Sequence, residues 1–208
     1  FKKGDRTDIE LPAVQRELID ALHRAGKKII LVNCSGSPIG LEPETQKCEA
    51  ILQAWYPGQQ GGKAVAEVLF GDYNPAGKLP VTFYRNVSQL PDFEDYNMTG
   101  RTYRYMQDVP LFPFGYGLSY TTFGYGKTVL DKNELTAGQS LKLTVPVTNT
   151  GKRNGEEVVQ VYLRKQGDAE GPIKTLRAFK RVSIPAGKTV NVEFDLKDKE
   201  LEWWDAQS

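Results

Sequence analysis

Apolar residues recur at two different periods along this chain, and the change falls near residue 120. Leu11, Val14, Leu18, Ile19, Leu22 and Ala25 follow three-four spacing, which places them on one stripe of a helix over residues 11–25. Pro12 suits the first turn and Gly26 sits where a left-handed carboxyl cap belongs. His23 lies off the stripe and reads as a solvated surface residue. Residues 29–32 form an unbroken apolar run before Asn33, the pattern of a parallel strand covered on both faces. Residues 50–55 repeat that pattern. Residues 62–70 read as a compact helix with Val65, Val68 and Leu69 inward, and residues 79–83 as a third strand. Strands alternating with helices predict a mostly parallel sheet with helices on its faces.

Beyond residue 120 the period becomes two. Leu141, Leu143, Val145 and Val147 alternate with polar or proline positions, as do Val159, Val161 and Leu163, and Val190, Val192, Phe194 and Leu196. Such segments, separated by Gly-, Pro- and Asn-containing turns, are the signature of a β-sandwich. About five strands precede Ser208, where about seven are expected of an immunoglobulin-like sandwich. Trp203 and Trp204 close the chain where a continuing sandwich would bury them. The fold class is therefore α/β plus all-β: a partial α/β sandwich over residues 1–120, then an incomplete β-sandwich over residues 121–208, truncated at its carboxyl end.

Between these parts the glycine- and proline-rich stretch 55–83 raises the question of a phosphate cradle. A P-loop needs a glycine at position 57 and Ser or Thr at 64, where the chain has Pro57 and Ala64. Gly115 and Gly117 lack the third glycine and the helix of a dinucleotide fingerprint. The small-residue loop Cys34, Ser35, Gly36, Ser37, Pro38 follows a strand, and reads equally as a ligand crevice or as a tight connection. No histidine is placed to activate either serine, and no nucleophile elbow is present.

Charge narrows the picture by exclusion. Twenty-seven Lys and Arg nearly cancel 26 Asp and Glu, so no bulk field draws in nucleic acid or an anionic membrane. The apolar runs are too short to span a bilayer. Two cysteines without CxxC spacing, and a single histidine, point away from zinc or redox chemistry. Cys34 and Cys48 read as buried free thiols, with a disulfide as the alternative. No cofactor and no metal are implied. Phe1 is not a natural initiator, so the amino terminus reads as processed, cut or incomplete.

Candidate chemistry gathers in residues 84–110, a long polar, aromatic and acidic segment of the kind that is functional or a linker. Glu94, Tyr96 and Tyr103 are the candidate substrate-binding residues, with Tyr105 beside them. Carboxylates beside tyrosines suit sugar binding or acid–base work. The alternative is a solvated loop with local Arg–carboxylate pairs. Asn86-Val-Ser88 and Asn97-Met-Thr99 match the glycosylation acceptor pattern, a motif common by chance.

The run Gly4-Asp-Arg-Thr-Asp-Ile-Glu-Leu-Pro12 with Gln15, then Tyr56-Pro-Gly-Gln59, Leu69-Phe-Gly-Asp72, Asn74-Pro75, Gly77-Lys-Leu-Pro80 and Phe112-Pro-Phe-Gly-Tyr-Gly-Leu-Ser-Tyr120, resembles the carboxyl-terminal half of glycoside hydrolase family 3. That family holds the β-glucosidases and β-xylosidases. The motifs fall in family order across residues 4–123, and the all-β part resembles the family's fibronectin type III-like domain. The opening run and Gly100-Arg-Thr-Tyr-Arg-Tyr105 lean toward the xylosidase-like branch.

The resemblance implies a parent enzyme that is a retaining β-glycosidase acting on β-linked oligosaccharides. Its aspartate nucleophile would stand on an amino-terminal (β/α)8 barrel and its glutamate acid/base on the α/β sandwich domain. The chain contains no barrel, and run 2–6 puts a lysine where many relatives carry the acid/base. Asp8 and Glu10 match no catalytic position, so no catalytic residue is assigned. The expectation is a piece inactive alone, with the missing barrel supplied in cis or in trans, in a periplasmic or secreted enzyme. The competing expectation is a non-catalytic carbohydrate-binding or structural accessory module. For Phe112, Phe114 and Tyr116, interdomain packing is expected rather than sugar contact.

Overall fold

A computed structural model describes residues 7–203, which fall into two compact units. The first comprises residues up to Asp72 together with Leu79–Tyr116, and the second comprises Tyr73–Lys78 together with residues from Gly117 onward. Trp204 and run 2–6 lie outside the described residues.

In the first unit, helix α1 (Ala13–Arg24) leads through Gly26, at φ +68°, into strand β1 (Ile30–Asn33). The N–H of Lys27 reaches back to the Leu22 carbonyl, closing the helix as expected. A short helix α2 (Glu42–Thr45) precedes strand β2 (Ala50–Gln53), which pairs in parallel with β1, Ile30 opposite Ala50. Helix α3 (Gly61–Phe70) follows. Gly61 is obligatory there, because a Cβ would meet Pro57 Cβ at 2.2 Å. Residues 79–83 correct the expectation of a third strand. Leu79 accepts from Gly115 and donates to Tyr116, and Phe83 makes an isolated antiparallel bridge to Phe112. Pro80 has no N–H to donate, and the backbone here pairs with a turn. Among the described residues the parallel sheet is the single β1–β2 pair.

Burial departs from the periodicity in an instructive way. Leu11 and Ile19 are buried with Ile29, Ile39, Leu41 and Phe83 in one core, but Val14 and Leu18 on the same helical stripe are 70% and 61% exposed. Ile30 is exposed, so β1 is not covered on both faces. On α3, Val65 and Val68 are half-buried while Leu69 and Phe70 face outward, Phe70 at 84% exposure. Cys34 is exposed and Cys48 half-buried; both are free thiols, as expected, but neither reaches the expected burial. His23 is exposed, as expected.

Among the described residues the second unit holds six strands, where about five were expected: β3 (Phe123–Tyr125), β4 (Val129–Leu130), β5 (Leu141–Asn149), β6 (Gly155–Leu163), β7 (Thr175–Ile184) and β8 (Thr189–Leu196), with a last turn of helix α5 (Asp198–Leu201). Strand β5 pairs antiparallel with β3, β4 and β8, and β6 pairs antiparallel with β7. Strand β7 shifts register opposite Val161 and Tyr162 of β6, which pair with Ala178 and Leu176 and leave Arg177 as the extra residue. The period-two positions Leu143, Val145, Val147, Val159, Val192, Phe194 and Leu196, with Ile184 of β7, form one core between the two sheets.

One ion cluster ties the first unit together. Glu44 on α2 is fully buried, and its carboxylate accepts from Arg16 Nε at 2.8 Å and from Nη2 at 3.2 Å. The same Nη2 donates to Glu10 at 2.8 Å and to the Gly40 carbonyl at 3.1 Å. Arg16→Ala would strand the Glu44 charge in the core. The expected loss is about 3 kcal/mol of unfolding free energy by urea titration, largely recovered when Glu44→Leu is added, since removing both charges leaves nothing uncompensated.

Candidate functional site

Among the described residues of the first unit, two concavities bear on function. The smaller, of about 380 Å³, lies between the end of β2 and α3, against the glycines of residues 57–61. Leu52, Ala54, Val65 and Val68 make its walls apolar, and Lys63 on the same helix lies 3.6 Å from Glu67, turn to turn. Those walls suit packing, not an anion.

The larger groove, of about 580 Å³, is built by the loop after the 3-10 turn at Val87–Gln89, with residues 7–9 on its far side. The loop is shaped by its own polar atoms. Asp92 Oδ1 accepts from the Glu94 N–H and Asp95 Oδ1 from the Asn97 N–H, each at 2.9 Å. These are two successive Asx turns, in which a short side chain imitates a backbone turn. Gly100, at φ +73°, and Thr102, at φ +56°, then reverse the chain. A glycine takes that conformation freely, but a β-branched residue does so only under strain. The Thr102 N–H is held by the Tyr84 hydroxyl at 3.2 Å.

This geometry throws two rings outward into the groove, Phe93 at 74% and Tyr96 at 89% exposure. Asp8, Asp95 and Arg101 supply its charged lining. Flat rings beside carboxylates can stack on the C–H face of a sugar while accepting from its hydroxyls. Of the three sequence candidates, Tyr96 lines the groove, while Glu94 and Tyr103 do not. Glu94 is exposed on the adjacent turn. Tyr103, on the short helix α4 (Thr102–Tyr105), is half-buried and stacks on Phe114 at 4.2 Å and 17°. Tyr105 has the Arg104 guanidinium 5.5 Å from its ring centre. Phe112 packs on Phe83 and Tyr116, all inside the first unit.

Sequence reasoning passed over Phe93, Asp95 and Arg101 as groove residues. The signal was the repeated Asp-x-(Glu/Asn) spacing at Asp92–Glu94 and Asp95–Asn97, which marks consecutive Asx turns. Asn86 also spends its side-chain oxygen locally, accepting from the Ser88 N–H and hydroxyl. Glu10 and Glu44 converge on one Arg16 nitrogen, but Glu44 is sealed in the core, so this carboxylate pair is closed to a sugar ring. At the carboxyl ends of β1 and β2, Asn33 Nδ2 donates to Gln53 at 2.6 Å and to Ser35 at 2.9 Å, so the small-residue loop cross-links the strand ends. Among the described residues no group of three or more His, Cys, Asp or Glu side chains could hold a metal ion, and no helix is long and apolar enough to cross a membrane.

The architecture is thus that of an α/β unit carrying an aromatic–acidic loop, joined to an antiparallel β unit. Comparison with known proteins makes this particular. Residues 2–120 match the glycosyl hydrolase family 3 C-terminal domain, and residues 157–208 match a fibronectin type III-like domain. The chain belongs to glycosyl hydrolase family 3. It is 60% identical over its whole length to a xylan 1,4-β-xylosidase from Xylanibacter ruminicola, of which it covers 24%. It is 41% identical to a periplasmic β-glucosidase from Salmonella typhimurium, with 98% of the chain and 28% of that protein aligned. Among solved structures, a β-glucosidase from Erythrobacter marinus superposes with a TM-score of 0.86 at 43% identity, over 98% of this chain and 27% of that one. A Listeria innocua β-glucosidase in complex with isofagomine gives 0.83 at 31% identity, over 98% and 30%. The chain therefore spans about a quarter of the length of the curated relatives it matches.

The loop's electrostatics are testable. Hydrogen bonds from the Asn97 backbone N–H and side-chain amide hold the Asp95 carboxyl below its ordinary value of 3.8. A depressed carboxylate contributes its order above the unfolded value and loses it as pH falls through the folded one. The Asn97 amide resonance should therefore be flat from about pH 8 to pH 5 and titrate with a midpoint below the ordinary Asp value; Asp95→Asn should abolish that titration.

Proposed function

We propose that this chain is the non-catalytic carboxyl-terminal portion of a retaining β-glycosidase that hydrolyses β-linked oligosaccharides, of β-xylosidase or β-glucosidase type. The observation that carries this reading is 60% identity along the entire chain to a xylan 1,4-β-xylosidase four times its length. Retaining hydrolysis needs two carboxyl groups about 5 Å apart, one as nucleophile and one as acid/base. The chain's own role is then to support and flank that pair. The (β/α)8 barrel bearing the nucleophile comes from elsewhere in the same polypeptide or from another. A periplasmic or secreted setting accords with the relative named periplasmic.

Within that role the groove beside Tyr96 is the surface that touches saccharide. Tyr96 and Phe93 offer stacking faces, and the Asp8 and Asp95 carboxylates offer acceptors. Glu94, exposed on the adjacent turn, and Tyr103, stacked on Phe114, belong to the same 84–110 segment and are proposed as outer contacts of that surface.

The purified 208-residue chain should release no 4-nitrophenol from aryl β-xylosides or β-glucosides above buffer. Measurable turnover would overturn its non-catalytic assignment. In an NMR titration with xylohexaose, resonances around residues 93–101 should shift with a Kd on the order of 1 mM, and Tyr96→Ala should remove the shifts. A micromolar Kd would favour an independent carbohydrate-binding module over a supporting portion.

A further inference from the structure

We infer that Arg101 is the positioning residue of this groove: its guanidinium clasps the carbonyls of the Asp92–Asn97 loop and so presets the platform that carries Phe93 and Tyr96. This rests on the reading of the groove as a saccharide surface. Arg101 Nε donates to the Asn97 carbonyl at 2.9 Å, and Nη2 donates to the carbonyls of Asp92, at 3.3 Å, and Asp95. Its own backbone N–H donates to Met98 O at 3.0 Å. One side chain thus joins three carbonyls that fall on both sides of Phe93 and on either side of Tyr96 in the chain.

The conformation of residues 100–102 makes that reach possible. Gly100 and Thr102, both at positive φ, turn the backbone sharply before and after Arg101, and the Tyr84 hydroxyl fixes the exit. A strained β-branched residue persists only where surrounding structure over-determines it. Here the over-determining contacts are the Arg101 clasp and the Tyr84 bond. A planar fork of five fixed donors suits three carbonyls at different angles, which a lysine ammonium on a flexible stem does not. The consequence is functional because exposed rings that must be ordered at the moment of binding lose affinity to that ordering.

The test uses the full chain with xylohexaose as probe. Arg101→Ala should weaken binding about fivefold, the cost of ordering one or two side chains. It should also speed hydrogen exchange at the Glu94 and Asn97 amides while leaving the amides of α1 and the β5–β8 ladder at wild-type rates. Arg101→Lys should retain the charge and recover little. Millimolar ethylguanidinium, but not ethylammonium, should restore slow exchange and affinity to Arg101→Ala. Unchanged exchange at Glu94 and Asn97 in Arg101→Ala, or equal rescue by ethylammonium, overturns the clasp. Tyr96→Ala separates the two ideas. If it leaves xylohexaose shifts intact, the saccharide reading of the groove fails, and the exchange experiment still decides whether Arg101 orders the loop.

Discussion

The first unit depends on a charge that water never reaches. A fully buried carboxylate such as Glu44 is tolerable only where its partner's geometry is near ideal, because desolvation of the pair takes back most of the Coulombic gain. Arg16 meets that condition with two nitrogens on Glu44 and further bonds to Glu10 and Gly40. The surrounding carboxylates, Glu44 first, push the guanidinium pKa upward, so Arg16 stays charged at any pH the fold survives. Its contribution is less net stability than position. It docks α1 on α2, fixes the Glu10–Gly40 bridge, and places the turn from which Cys48 and Glu49 enter β2. The N–H of Glu49 bonds the Ile29 carbonyl at 2.8 Å, setting the β1–β2 register one residue before the strands begin.

The groove obeys a different economy. Its loop has no apolar core of its own, and beside the turn at Gly100 and Thr102 its reversals are held by side chains closing on the backbone: Asp92, Asp95, Arg101. Such a segment is held by hydrogen bonds whose net worth is roughly 1 kcal/mol each, and more when charged. That is enough to hold a shape and too little to hide the rings. Phe93 and Tyr96 stay exposed because nothing in the loop is large enough to cover them. Tyr103 and Phe114, one short helix later, do find each other and form a stacked base.

What could be read beforehand follows from how local each determinant is. The period-two positions of β5, β6 and β8 map directly onto one core, because a strand's two faces are set by its own alternation. Helix α1, its Gly26 cap and the β1–β2 pair were legible for the same reason. Residues 79–83 form no strand because so short a segment does not specify its partner, and a turn at Gly115 and Tyr116 took the hydrogen bonds a strand would have made. The candidate site was half legible. Tyr96 could be picked by residue type, but Arg101 acts through carbonyls four to nine positions away, and no spacing rule announces that.

The same limit explains the surface of α1. A three-four stripe tells which face of a helix avoids water and nothing about what covers it. Ile19 is covered by residues of this chain, whereas Val14, Leu18 and Leu22 are not, although the pattern treats all four alike. Phe70 and Ile30 repeat the discrepancy on α3 and β1. Val14, Leu18 and Leu22 stand one turn apart on one helical stripe, and a continuous exposed apolar stripe marks surface meant for contact. It agrees with the proposal that these 208 residues act as a quarter of a larger enzyme. On that reading the amphipathic pattern was correct from the start: it encodes burial in the whole molecule, and the partly buried stripe records how much of that burial this chain supplies by itself.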